Sequence, residues 1–413
     1  MKRSKFIAFA AASAVVVAAC GSDDDSDADA SASEASEEEA SDSASASEPE
    51  EEASDSASAS EPADDEAMED EEPAEAVCPS NLVIQTDWLP ELEHGGTYQL
   101  IGPDGTASQD TVSYSGAVQP QYAVGGLETI EIRTVNFDKT NASVLADGDA
   151  DMAYITSSDI IKDSGAIPLV GIAKTLDQDP QMVMWDPTLH DIQEPADIAA
   201  TGAEVLHFPG SAYIDYMVAE GIMTAEQSNA NYDGSDAKWV ADGGNFIQQG
   251  FATNEIYKYE NDIAWTADGP ADVSFFTVGE LGFDNYPAVI TMLQSRADEL
   301  DACLQLLVPV MSQAWIDFLA DPQPVTDRLI TINEEYDGFW SLSEGLNEAG
   351  MALIESEGYA NNSSDGTYCS LDTDRLEVLY GILAPIYADQ GTEIADGIDG
   401  IFTDKYCAEA PGR

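Results

Sequence analysis

Positive charge is what this chain most lacks: 14 Lys and Arg stand against 80 Asp and Glu, a formal net charge of -66 over 413 residues. Three of the cations fall within the first five residues and 24 of the acids within 21–77, so the rest of the chain holds 56 acids against 11 cations. A surface so negative repels nucleic acid and anionic lipid and excludes a basic groove for either. It suits solvation in salty surroundings, where screening suppresses self-repulsion, and the other reading is a functional acidic patch. Histidine is also scarce, at three, and no His-Glu-x-x-His pair, Gly-x-x-x-x-Gly-Lys phosphate loop or Gly-x-Ser-x-Gly elbow occurs. The five cysteines include no Cys-x-x-Cys or Cys/His spacing, which leaves zinc and thioredoxin-type chemistry without support. Asp147-Gly-Asp149-Ala-Asp151 starts like a calcium loop, yet Met152 replaces the required Gly and Ser158 the closing Glu. No metal, cofactor or catalytic group is expected, and paired carboxylates among so many acids are no evidence for glycoside hydrolysis.

What is present begins with a start that reads as an export signal. Lys2, Arg3 and Lys5 precede an apolar run at 6–17, too short to span a bilayer, and Val17-Ala18-Ala19-Cys20 is a small-residue cleavage site with a cysteine directly after it. Residues 1–19 are therefore expected to be a lipoprotein signal peptide, with Cys20 lipidated and the mature chain anchored outside the cytoplasmic membrane, at the cell surface or in the periplasm. The plainer alternative is a secretory signal with an incidental Cys. Residues 20–77 are almost wholly Ser, Ala, Asp, Glu and Pro, with SDSASASEP at 41–49 and again at 54–62. Such a segment has no apolar surface to offset its ordering entropy and is expected to be a disordered acidic tether of about 40 Å reach. Outside the membrane, Cys78, Cys303, Cys369 and Cys407 read as two disulfides. Three pairings are open; the favoured one joins Cys369 to Cys407, which bracket one helical segment, and Cys78 to Cys303.

From 78 onward the patterns alternate between strand and helix. NLVIQT at 81–86 and TIEIRTV at 129–135 read as strands around a short helix at 93–100, a β-α-β unit. Further strands are expected at 167–173, from 181, and at 204–208, the last followed by a Pro-Gly-Ser turn and a helix at 212–220. From Ala297 the apolar positions recur at three and four, a helical tail. The α/β pattern predicts parallel sheets with a ligand site at the strand carboxyl ends. Two lobes are expected: 78–175 with 270–330, and 176–269, with 331–413 a helical region packing on the first. The chain would cross between them near 174–179 and 265–270, so that a cleft closes by hinge motion.

QTDWLPELEHGG at 85–96 resembles the opening of solute-binding proteins of ABC importers in the nitrate, sulfonate, taurine and thiamine-pyrimidine-precursor group. The likeness recurs in order in LADGDAD at 145–151, IPLVGIA at 167–173 and QQGFATNEIY at 248–257, covering about residues 80–295. It implies a two-lobed type II periplasmic-binding-protein fold, a small-molecule ligand, permease and ATPase partners, and a monomer that is not an enzyme. One departure is GPDGTASQDTVSYSGAVQPQYAVGG at 102–126, expected to rebuild the rim of the first lobe. The rivals are a sensor or surface lipoprotein without a transporter and an enzyme like the one that makes the thiamine pyrimidine, but that enzyme's cysteine-rich iron site has no counterpart here.

Six residues are candidates for ligand contact. Trp88, just past a strand end, can stack a planar ligand or lid the core. His94 precedes Gly95-Gly96 at a helix start, where backbone amides accept a negative or polar atom, or where His is a structural cap. Ser211 and Tyr213 follow Gly210 at another helix start, with helix capping the other role for Ser211. Glu255 and Tyr257 gain from the resemblance, though an acid in so acidic a chain usually faces solvent. Few cations and several aromatics favour a planar heterocycle, with a small anion held by helix starts as the alternative.

Overall fold

Residues 76–413 are described by a computed structural model; the signal, Cys20 and the tether up to residue 75 lie outside the described residues. The amides of Val77 and Cys78 both donate to Gly125 O, at 2.9 and 2.8 Å, so the last residues assigned to the tether already belong to the fold. β1 (Asn81–Gln85) buries Leu82 and Ile84, and after a single 3-10 turn comes α1 (Gly95–Gln99). A hairpin of β2 (Thr106–Ser108) and β3 (Ser113–Ala117) leads to β4 (Thr129–Arg133), whose Ile130 and Ile132 face the core in strict alternation. Then follow α2 (Asn141–Ala146), β5 (Met152–Ile155), α3 (Ser157–Asp163) and β6 (Leu169–Lys174). Thr140 and Thr156 cap α2 and α3 by accepting from the amides of Ser143 and Asp159.

After Lys174 the chain enters a second sheet. Its elements are β7 (Gln181–Trp185), α4 (Asp197–Thr201), β8 (Val205–Leu206), α5 (Ala212–Ala219), β9 (Ser228–Asn229), α6 (Ala237–Asp242), β10 (Ile247–Phe251), α7 (Glu255–Tyr257) and β11 (Ser274–Thr277). The strand order is β11-β7-β10-β8-β9, with β8 parallel to both neighbours and β7 antiparallel to β10 and β11. The return crossing therefore lies beyond the expected 265–270. Residues 274–277 still pair with β7 throughout their length, which keeps the chain in the second lobe until after Thr277.

β12 (Val289–Leu293) rejoins the first sheet, inserted antiparallel between β5 and β6 to give β2-β3-β4-β1-β5-β12-β6. The segment 102–126 thus extends this sheet at its edge instead of rebuilding the rim. The helical tail comprises α8 (Gln294–Glu299), α9 (Asp301–Ala320), α10 (Gln323–Tyr336), α11 (Glu344–Ser356) and α12 (Thr373–Gln390). α9 is apolar and long enough to cross a membrane, but it is a core helix of this lobe. Gly95 and Gly96 let α1 lie directly on it. A Cβ at either would come within 2.3 Å of the Phe318 ring or 2.2 Å of the Trp315 ring.

The tail does not pack on the first lobe alone. Leu376, Leu379, Leu383 and Tyr387 of α12 share one apolar cluster with Ile160 and Ile161 of α3 and with Ile214 and Met217 of α5, so α12 lies across both lobes. Its apolar residues recur at helical spacing, and that stripe is covered only where both lobes meet it. Disulfides join Cys78 to Cys303 and Cys369 to Cys407, the favoured pairing, and the second brackets α12.

Candidate functional site

A cavity of about 280 Å3 lies where the carboxyl ends of β1 and β5 face the ends of β8 and β10. Strand ends and the loops after them leave side chains free to point at a ligand, the usual place for a site in an open α/β sheet. The two crossings contribute Thr175, Asp179 and Asn285 to the lining, and they run side by side, Thr175 N donating to Ala288 O at 3.2 Å.

Of the six candidates, Trp88, His94, Ser211, Tyr213 and Glu255 line this cavity. Tyr257 does not: its hydroxyl abuts Gly345 of α11, where a Cβ would come within 2.3 Å. One short helical turn after Glu255 turns the two side chains to different neighbours. His94 is fully buried, with Nε2 2.7 Å from Asp87 Oδ1 and Nδ1 without a partner. The glycines after it allow the close packing on α9 described above. Ser211 does not cap α5; its hydroxyl donates to Phe208 O at 2.9 Å. Tyr213 donates to Gln249 Oε1 at 3.2 Å. Glu255 accepts from Phe251 N at 2.6 Å.

The larger part of the lining was not legible beforehand. Asp87, Glu91, Glu93, Asp159 and Asp179 join Glu255, so six carboxylates face a cavity to which no Lys or Arg contributes. Burial pushes the carboxyls of Glu91, Glu93, Asp159 and Glu255 up from their usual range, and that of Asp179 up to about 6. For Glu91 the nearby acids Glu93, Asp87 and Glu255 add to the effect. Aromatic rings supply much of the remaining wall: Trp88 lies 5.7 Å from Phe208 and 5.5 Å from Trp340, centroid to centroid. Trp340 comes from the loop between α10 and α11, and its one sequence signal is a Gly-Phe-Trp run just after a helix end.

Hydrogen bonds join the lobes across the cleft. The Thr253 hydroxyl donates to Glu93 Oε1, Asn254 Nδ2 approaches Glu91 Oε2 at 3.4 Å, and Lys162 Nζ donates to Gly210 O at 2.8 Å. α11 fits the same seam, a Cβ at Gly350 meeting Leu92 Cδ1 at 2.5 Å and Thr253 O at 2.7 Å. This is the closed arrangement of a two-lobed molecule.

No protein-family model matches the chain, and no curated protein matches it. Solved structures do. The periplasmic aliphatic sulphonate binding protein SsuA from Escherichia coli superposes with a TM-score of 0.53 at 12% identity, over 79% of this chain and 93% of that one. The alkanesulfonate-binding protein SsuA from Xanthomonas axonopodis pv. citri, solved with MOPS, gives 0.50 at 12% identity, over 79% and 99%. A protein from Bordetella bronchiseptica gives 0.51 at 12% identity, over 80% and 96%. The fold is that of the type II periplasmic binding proteins.

Proposed function

We propose that this chain is an extracytoplasmic solute-binding lipoprotein that captures a small molecule between its lobes and presents it to the permease and ATPase of an ABC importer. The observation that carries the reading is the cavity itself, lined from both lobes and both crossings, in a fold whose solved representatives include periplasmic sulphonate-binding proteins. A ligand that touches both lobes favours the closed form by its differential affinity. Trp88, His94, Ser211, Tyr213 and Glu255 are its proposed contacts, and the rings of Trp88, Phe208 and Trp340 support a planar or otherwise apolar ligand body. The protein binds as a monomer and performs no chemistry on what it carries.

The anchor rests on 17–20 and is part of the same proposal. Lipid on Cys20 and the acidic tether would hold the cleft away from the membrane surface and within reach of a permease. Native mass spectrometry of the protein from its own host should reveal a bound small molecule, and a ligand should raise the melting temperature. If neither a co-purified molecule nor any melting shift from a broad metabolite screen is found, the reading fails. Cys20→Ser should move the protein out of the membrane fraction; unchanged fractionation and mass would remove the anchor and leave the binding role untouched.

A further inference from the structure

Resting on the solute-binding reading, we propose that the ligand is an organic cation, a protonated amine or quaternary ammonium on an apolar body, and not a sulfonate or other anion. The cavity holds six carboxylates and no Lys or Arg, and among the described residues none of the six is ion-paired with either. The charge is not idle surface. Glu93 is 5% exposed and its Oε2 has no hydrogen-bond partner, the other oxygen being taken by Thr253. Asn254, 1% exposed and on the opposite lobe, has an unpartnered Oδ1. Both residues line the cavity, one from each lobe, and buried acceptors without a donor are rare in folded proteins. A protonated amine supplies N–H groups and charge together, and a quaternary ammonium supplies the charge. A sulfonate supplies neither and would lie among six carboxyl groups with no Lys or Arg in the lining.

The aromatic wall fits the same ligand, since ring faces attract cations. The protein already uses one of these rings in that way: Lys258 Nζ sits 3.4 Å from the Trp340 ring centroid. Lys258 belongs to the neighbouring hollow and reaches Glu255 and Glu91 only through space, as Lys162 does Asp159 and Arg375 does Asp179. The remaining groups facing Glu93 are His94, Asp87, Glu91 and Glu255. With acids outnumbering these cations, cation binding should release protons, and affinity should rise with pH.

The test uses amines, alcohols and sulfonates built on the same methyl, butyl, phenethyl and naphthylethyl bodies, with the matching trimethylammonium compounds. Melting shifts and titration calorimetry are read at pH 8 on the full folded chain. Binding confined to the amines and ammonium compounds is expected, together with a loss of at least about tenfold in affinity in Glu93→Gln. That variant keeps the shape and the Thr253 bond and should melt no lower than the parent, which separates lost binding from lost folding. A sulfonate or alcohol that binds as tightly as its amine overturns the cation class while leaving solute binding intact. Silence from every compound overturns the cation class, while solute binding itself stands or falls with the co-purified molecule and the broad metabolite screen.

Discussion

Trp88 of the first lobe is seated against Gly234 of the second, so closely that a Cβ on Gly234 would stand 2.4 Å from the far edge of the indole. Gly234 has φ +84, a region other residues seldom adopt, so both its backbone and its missing side chain are used. Gly234→Ala should prop the cleft open, enlarging the molecule in small-angle scattering and weakening ligand. It should also lower stability by about 1–2 kcal/mol. Adding Trp88→Ala removes the clash but not the backbone strain, so the double variant should regain compactness and not stability. Additive effects on compactness would refute the contact.

Arg375, in the first turn of α12, ties the two crossings together. Its guanidinium donates to Asp177 O at 2.6 Å and to Asn285 O at 2.7 Å, and lies 3.9 Å from the centroid of the Tyr286 ring. Arg375→Ala leaves two part-buried carbonyls without these donors and should cost about 2 kcal/mol. Arg375→Lys keeps the charge, loses the fork and should recover only part of this. Hydrogen exchange near 177–178 and 285–286 should quicken in both; unchanged exchange would mean the crossings hold without the arginine.

Asp179 lies at the first crossing, where burial lifts its carboxyl from 3.8 to about 6 despite bonds from Gln181 N and Asn285 Nδ2. A carboxyl raised in the folded state favours folding below its unfolded pKa, and that contribution is lost as pH rises through the folded value. Between about pH 4 and 6 the ligand-free protein should therefore lose on the order of 2 kcal/mol through this residue. In Asp179→Asn the amide faces the Asn285 amide, lowering the whole curve. The difference between parent and variant should nevertheless narrow steadily with rising pH over this window. Parallel curves in thermal unfolding would refute the assignment.

Without reductant, peptide mapping should find Cys78 linked to Cys303 and Cys369 to Cys407, with no free thiol among the four. Replacing the second pair by Ala opens a loop of sequence separation 38 and should destabilise by up to about 4 kcal/mol on a chain-entropy basis. The α12 seam should loosen first. Alkylation of all four cysteines in the native, unreduced protein would contradict both bridges.

Short-range physics made much of the fold legible. The apolar run of β1, the alternation in β4, the Pro-Gly-Ser turn before α5 and the helical spacing of α9 are each set within a few residues, and each appears where its local pattern predicts. The same holds for the cavity positions next to strand ends and helix starts, such as Trp88 and Ser211. The carboxylates were hidden for the opposite reason: with 56 acids beyond the tether, no local signal separates Glu93 from an acid facing water.

What the sequence by itself determined is the alternation of strands and helices, the even set of cysteines and the excess of acid, all properties of composition and near neighbours. Tertiary structure alone decided where that acid matters. It brought Glu91 and Glu93 against Thr253 and Asn254, carried Trp340 from the far end of the chain to Trp88, laid α12 over both lobes and turned Tyr257 away. Each of these depends on desolvation and on contacts between residues far apart in the chain, whose energies exist only once the lobes have packed.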